Sequence, residues 1–258
     1  DYLLVHIKRI AFSKLFDGIC VTSPLLYDLL IKQNIDKEKI FLVPPPIDSV
    51  FFDSEARHKT KSKLIEQNRD QVSIVLYFGD LHPLRFPARK VLNAISLIKK
   101  ENINVKLIAV SRYGSEHLKI NEMAKKMNLN GNVICYTKSL RNEEKVELYS
   151  NADVVIFPFE GFMGIDPPAT LLEAMSCGKI VVASKTQSMP YIIKDRFNGI
   201  LVDPLTPEKL AEQLKLTLTS EEAKKMGANA RETILQHFSK EKVTQKLLRM
   251  YKEVSHSM

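Results

Sequence analysis

The chain has 258 residues, of which 45% are hydrophobic and 26% charged, and its formal net charge is +8. This composition is typical of a globular protein, and no apolar run approaches the ~18 residues that a transmembrane helix requires. The basic residues do not form a stripe interleaved with aromatic residues, so nucleic-acid binding is not expected. The three cysteines are far apart and show no metal-binding spacing, which favours a reducing compartment and predicts that no metal is bound.

Short apolar runs alternate with helical patterns along the chain, and most of the runs are continuous, as expected of strands covered on both faces. The predicted strands are 18–23, 39–44, 72–79, 104–110, 132–136, 153–159, 179–184 and 199–204. The predicted helices are 24–33, 87–101, 115–128, 142–150, 168–177, 188–194, 207–219 and 221–254, the last broken near 237–239, where Ser239 is able to cap a second helix. The alternation predicts an α/β fold, a Rossmann-like doubly wound parallel sheet with helices on both faces.

In an open parallel sheet, ligands bind beyond the carboxyl ends of the strands, and the first candidate segment there is "YFGDLHPLRFPARK", residues 77–90. Gly79 permits a close backbone approach or a positive φ angle. The guanidinium of Arg85 has the geometry to bind a diphosphate through two hydrogen bonds. The alternative interpretation is a polar surface loop with a solvated arginine.

The second candidate segment is "FPFEGFMGIDPPATLLEAMSCG", residues 157–178. Asp166 is predicted to cap a helix that begins at the adjacent prolines. The amides of Ala169 and Thr170, together with the helix macrodipole, form a predicted anion site that suits a diphosphate.

Carboxylates in the same segment predict contacts with sugar hydroxyls. Glu173 lies about one turn inside the predicted helix, where a carboxylate is able to accept both hydroxyls of a ribose. Glu160 and Asp166 are further candidates for contacts with a sugar. The alternative is an ordinary amphipathic helix with an exposed Glu173 and a capping Asp166. The dinucleotide-binding pattern GxGxxG and the P-loop pattern are absent, which argues against a dehydrogenase and a P-loop NTPase.

In this order, the segments resemble the retaining glycosyltransferases of family 4 (glycosyl transferases group 1), which have the GT-B fold. The most specific part is "LLEAMSCGKIVVAS", residues 171–184. The other matching stretches are 16–52, 77–95, 132–159, 198–204 and 237–254. The resemblance implies a retaining hexosyltransferase that takes a sugar from a UDP- or GDP-linked donor, without a metal, and transfers it to a sugar or lipid-linked acceptor.

The resemblance also implies roles for single residues. Glu173 occupies the position of the second glutamate of an E-x7-E pair, which binds the ribose of the donor, and the amides just ahead of it bind the diphosphate. The first glutamate, which contacts the donor sugar, falls at Ile165, so that Asp166 or Glu160 would have to replace it.

The cations that the family places on the diphosphate fall in the first candidate segment. Asp80 stands where the family has an arginine, and Arg85 is the best match for the family's lysine. These departures keep two alternatives open: a non-catalytic nucleotide-binding subunit with the GT-B fold, or another GT-B enzyme such as a sugar-phosphate synthase or an NDP-sugar epimerase. A plain nucleotide-binding module is a further alternative.

The proline-rich and then basic stretch 43–63 is typical of a linker. With the resemblance, it predicts four parts, which are listed here in chain order. They are the tail of an N-terminal acceptor domain (1–45), an interdomain linker (46–70), a nucleotide-sugar-binding domain (71–236) and a helix that crosses back to the N-terminal domain (237–258). His6 lies too close to the first strand to be the family's catalytic-site histidine, so we expect a fragment that lacks most of the N-terminal domain. We also expect a cytoplasmic protein, and its positive charge favours peripheral contact with the membrane face.

Overall fold

Parallel strands dominate the computed structural model, which describes residues 16–53, 72–161 and 166–256. The strands are β1 (Ile19–Val21), β2 (Ile40–Leu42), β3 (Ser73–Phe78), β4 (Val105–Ser111), β5 (Val133–Thr137), β6 (Val154–Phe157), β7 (Ile180–Ser184) and β8 (Ile200–Val202). The last six form one parallel sheet in the order β5-β4-β3-β6-β7-β8. Counted from β3, this is the 3-2-1-4-5-6 order of a doubly wound fold, so the predicted fold class is confirmed.

Helices connect these strands and cover the sheet. They are α1 (Pro24–Lys32), α2 (Ala88–Lys100), α3 (Glu116–Lys126), α4 (Asn142–Ser150), α5 (Ala169–Ser176), α6 (Met189–Ile192), α7 (Pro207–Thr219), α8 (Glu221–Phe238) and α9 (Lys240–His256). Each predicted helix is present, although α6 is shorter than the predicted 188–194 because Ile193 is already extended. The predicted break is also confirmed, since Ser239 separates α8 from α9 and its Oγ accepts from the amide of Lys242 at 3.4 Å.

The core lies on both faces of the six-stranded sheet. Every residue of β4, β6 and β7 is buried, which explains why these strands consist mostly of apolar residues, with Lys106 as the one charged residue among them. Such strands can be buried only if helices cover both faces of the sheet, and the right-handed crossovers of a parallel sheet place them there.

The first two strands form a separate small unit with α1. β1 pairs in parallel with β2, and Val21, Leu30 and Ile40 form its own small apolar cluster. The hydroxyl of Tyr191 on α6 donates to Asp28 at 2.6 Å, and a Cβ added at Gly18 would lie 2.9 Å from Val254 on α9. The unit therefore contacts both the segment after β7 and the last helix. Within the predicted linker, Ser49–Phe52 form a 3₁₀ turn, and residues 54–70 as well as His6 lie outside the described residues.

Two glycines allow α8 to pack against the end of α5. Gly178 follows α5 with a φ of +72°, and its amide donates to Met175 at 2.9 Å. A Cβ added at Gly227, in the middle of α8, would overlap the carbonyl oxygen of Gly178. The contact is between two backbones, so a flexible side chain cannot relieve it.

Gly227→Ala is therefore expected to lower the free energy of unfolding by about 1–3 kcal/mol, the usual cost of overpacking. Helix propensity alone predicts the opposite sign, a gain of about 1 kcal/mol. Urea denaturation of the two proteins measures the difference. Ala228→Gly, at the exposed neighbouring position, is the control, and only the propensity loss is expected there. A more stable Gly227→Ala protein would contradict the close packing.

Candidate functional site

The site lies where the order of the sheet reverses, between β3 and β6. The loops that follow these two strands contact each other directly. The amide of Glu160 donates to the carbonyl oxygen of Leu84 at 2.8 Å, and the guanidinium of Arg85 lies 5.1 Å from the centre of the Phe159 ring. The two segments singled out in the sequence thus meet at the place where doubly wound sheets bind their ligands.

The first turn of α5 presents two backbone amides. Pro168 occupies the N-cap position, and no side chain caps the helix there. The amides of Leu171 and Leu172 donate to the carbonyl oxygen of Pro168 at 3.1 and 3.4 Å. In the part of the chain that the structure describes, the amides of Ala169 and Thr170 have no acceptor. With the positive end of the helix dipole behind them, they are placed to bind an anion.

Glu173 is buried one turn further along α5, with only 6% of its surface exposed. Its Oε1 lies 2.9 Å from the ammonium of Lys145, and its Oε2 accepts from the hydroxyl of Tyr149 at 3.0 Å. Burial raises the pKa of Tyr149 well above its usual value, and the charge of Glu173 raises it further. The alternative interpretation of an exposed Glu173 is wrong.

Aromatic rings enclose this ion pair. The ammonium of Lys145 lies 5.8 Å from the ring centre of Phe51 and 5.7 Å from that of Phe78, and the ring of Tyr149 packs edge-on against both. Sequence reasoning missed Lys145, Tyr149 and Phe51. A weak signal exists, because Lys145 and Tyr149 are four residues apart and therefore share one face of α4, but nothing local links that face to Glu173.

Asp166 has a different role from the predicted helix cap, because Pro168 occupies that position. Its carboxylate is 2% exposed and accepts hydrogen bonds from the Ser188 hydroxyl and, at 3.2 Å, from the Ser188 amide. Its carbonyl oxygen accepts from the hydroxyl of Thr22 at 2.7 Å. The side chain is therefore directed at the loop after β7, and its contact with a sugar stays a prediction.

Gly79 and Glu160 occupy the two loops as predicted. Of the two alternatives stated for Gly79, the structure has the close approach and not the positive φ angle, since an added Cβ would lie 3.0 Å from the Tyr77 hydroxyl. Its amide donates to Val110 at 3.0 Å within the sheet. Glu160 is exposed, and its carboxylate pairs with Lys90 on α2.

Two further predictions concern the departures from the family pattern. Asp80 shapes the loop after β3, since its Oδ1 accepts from the amide of His82 at 2.9 Å. Ile165 lies outside the described residues.

Among the residues that are described, no group of three or more His, Cys, Asp or Glu side chains is arranged to hold a metal ion. No helix in the same ranges has both the length and the apolar character of a membrane span.

Comparison with known proteins adds a family to this geometry. The model of the glycosyl transferases group 1 family matches residues 59–233. A D-inositol 3-phosphate glycosyltransferase of Segniliparus rotundus is 28% identical over 198 residues, which cover 74% of this chain and 42% of that protein. The chain spans about half the length of the curated relatives it matches.

Solved structures of other proteins superpose on most of this chain. A glycosyltransferase of Rickettsia africae superposes with a TM-score of 0.79 at 20% identity, over 96% of this chain and 67% of that one. HepE of Anabaena, in complex with UDP and glucose, gives a TM-score of 0.79 at 17% identity over the same shares. The six-stranded parallel sheet thus matches GT-B glycosyltransferase structures. Because the family model covers more than half of the residues, the chain belongs to the glycosyl transferases group 1 family.

Proposed function

We propose that this chain is the donor-binding part of a retaining glycosyltransferase and that it binds a UDP- or GDP-linked sugar where the sheet order reverses. The observation that carries this proposal is the arrangement on α5. Two amides without an acceptor in the described residues, those of Ala169 and Thr170, open the helix, and the buried carboxylate of Glu173 lies about 6 Å further along its axis. The amides suit a diphosphate and the carboxylate suits the hydroxyls of the adjoining ribose.

The same groups support catalysis of sugar transfer. When the bond between the sugar and the diphosphate breaks, negative charge develops on the departing diphosphate. Donors that are already in place stabilise this charge without reorganising, and the amides at the start of α5 are such donors. Arg85 lies in the loop after β3, and its contact with Phe159, in the loop after β6, holds the guanidinium at this edge of the sheet. No metal ion is needed in this scheme.

The rest of the chain supports proposals for the domain division, the acceptor and the location of the protein. The small unit of β1, α1 and β2 and the contact of α9 with it support the proposed division into an N-terminal acceptor domain and a C-terminal donor domain. We place the protein in the cytoplasm, with a sugar or lipid-linked acceptor. The net charge of +8 favours contact with an anionic membrane surface.

Calorimetric titration with UDP-, GDP- and ADP-sugars, and with the free nucleotides, tests the proposal. Saturable binding to the nucleotide and the nucleotide-sugars of one base is expected. Ala169→Pro should weaken it about tenfold, because proline fits the first helical position but has no amide hydrogen. Glu173→Gln should weaken it about 10- to 100-fold, since hydrogen bonds to a charged group contribute about 1.5–3 kcal/mol.

The matched control is Glu212→Gln, at an exposed position on α7, which should leave binding unchanged. Circular dichroism of each variant verifies the fold. A well-folded chain that binds none of the nucleotides, or variants that bind as tightly as the original, would refute the proposal.

A further inference from the structure

The proposed ribose contact requires only the carboxylate of Glu173, yet this carboxylate on α5 also forms an ion pair with Lys145 on α4. The Nζ atom of Lys145 and the Oε1 atom of Glu173 lie 2.9 Å apart. The Lys145 side chain is 19% exposed, against 8% for that of Glu173, so the lysine is the more accessible member to a ligand. In the described part of the chain, the one hydrogen bond of its ammonium is to Glu173.

Stability alone gives little reason for this pair. A buried ion pair loses about as much free energy by leaving water as it gains by attraction, and apolar replacements of similar volume are often neutral or better. The neighbouring side chains are the rings of Phe51, Phe78 and Tyr149, which would pack equally well against an apolar residue. Tyr149 already gives the carboxylate one hydrogen-bond donor.

The two charges together select one kind of ligand group. A phosphate or a carboxylate would meet the negative charge of Glu173, and an amine would meet the positive charge of Lys145. A hydroxyl satisfies both, because it donates one hydrogen and accepts through its lone pairs. A vicinal diol offers two such groups to the two charged side chains.

We propose that Lys145 is a second residue that binds the ribose of the nucleotide, donating a hydrogen bond to a hydroxyl whose own hydrogen is directed to Glu173. The inference rests on the proposed function, which gives Glu173 the ribose, and extends it to a residue on a different helix. Lys145 would then make the site selective for ribonucleotides over nucleotides that lack a hydroxyl on the sugar ring. A site built to bind a hydroxyl rejects an analogue without it, because its polar groups are left unpaired.

The test combines a protein change with a ligand change. Lys145→Met and the original chain are titrated with UDP, GDP and ADP and with their 2′-deoxy and 3′-deoxy forms. For the ribonucleotide that binds, Lys145→Met is expected to weaken affinity about tenfold or more, as for the loss of a hydrogen bond from a charged group. For at least one deoxy form, the same variant should lose no more than about twofold, because the hydroxyl partner is already absent.

Lys126→Met is the control, since it removes the same charge from an exposed position on α3 and should change none of the affinities. Equal losses for ribose and deoxyribose forms would overturn the inference, because Lys145 would then act through charge or folding alone. Tighter binding by Lys145→Met would also overturn it and would show that the lysine competes with the ribose. If the original chain binds no nucleotide at all, the proposed function itself fails. That outcome differs from equal losses for the ribose and deoxyribose forms, which overturn only the role of Lys145.

Discussion

Replacing Glu173 with alanine is expected to lower the free energy of unfolding by about 3 kcal/mol. The change removes one member of a buried ion pair and leaves the Lys145 ammonium beside the rings of Phe51 and Phe78 without its carboxylate. Breaking such a pair costs about 3–5 kcal/mol, and the low end applies because the Lys145 side chain keeps 19% of its surface in water. Urea denaturation followed by circular dichroism measures the change.

The double variant Lys145→Met/Glu173→Leu should recover most of this loss. Both charges are then absent, the replacements have similar volumes, and the aromatic neighbours can pack against them, so we expect stability within about 1 kcal/mol of the original chain. The double variant should nevertheless bind the nucleotide about 100-fold more weakly than the original chain does, because both proposed ribose contacts are absent. A stable protein with this loss of affinity would show that the pair is retained for its ligand.

Glu122→Ala gives the matched comparison for the single change. Glu122 pairs with Lys126 on α3, but both side chains are largely exposed, so the loss of this pair should leave stability nearly unchanged. If the double variant were as unstable as Glu173→Ala, the ion pair would be needed for folding, and its interpretation as a ligand site would lose its main support.

Most of the fold could be predicted because each element has its own local signal. β6 is a continuous apolar run, and β4 and β7 are mostly apolar, because helices cover both faces of these strands. The break at Ser239 was visible because a serine after a long helical pattern is a typical cap. The resemblance to the glycosyl transferases group 1, which rests on residues 171–184 and on the order of the segments, is confirmed by the family model, whereas membership of the retaining family 4 stays a prediction.

The site could be predicted only where its chemistry is local. The prolines before α5 and the glutamate one turn inside it are close in sequence, so the spacing of Ala169, Thr170 and Glu173 is set by the helix itself. Lys145 lies 28 residues before Glu173, and only the packing of α4 beside α5 brings the two charges together. A lysine on a helix with charged neighbours otherwise predicts a solvated side chain.

Asp166 is a second case in which the local sequence pattern does not predict the contacts of a side chain. An aspartate just before two prolines and an apolar run has the sequence pattern of a helix cap, and that prediction was wrong. Its actual partner, Ser188, is 22 residues further along and follows β7. The neighbouring strands β6 and β7 are parallel, so the loops after them meet at the same edge of the sheet, and this contact depends on the fold rather than on the local pattern.

Asp166→Ala is expected to lower the free energy of unfolding by about 2–3 kcal/mol, because the buried amide and hydroxyl of Ser188 both lose their acceptor. The carbonyl of Asp166 also accepts from Thr22, and two prolines connect the residue rigidly to the first turn of α5. A loosened Asp166 should therefore displace the amides of Ala169 and Thr170. We expect the affinities for a free nucleoside diphosphate and for its sugar-linked form to fall by the same factor.

Calorimetry with both ligands separates positioning from direct contact. If Asp166 contacts the donor sugar instead, only the affinity for the sugar-linked nucleotide will fall, and the free nucleoside diphosphate will bind as tightly as it does to the original chain. Asp203→Ala is the control, because Asp203 also precedes a proline but is exposed, and its change should alter neither stability nor binding. Equal losses for both ligands, together with reduced stability, would show that Asp166 acts through the position of α5.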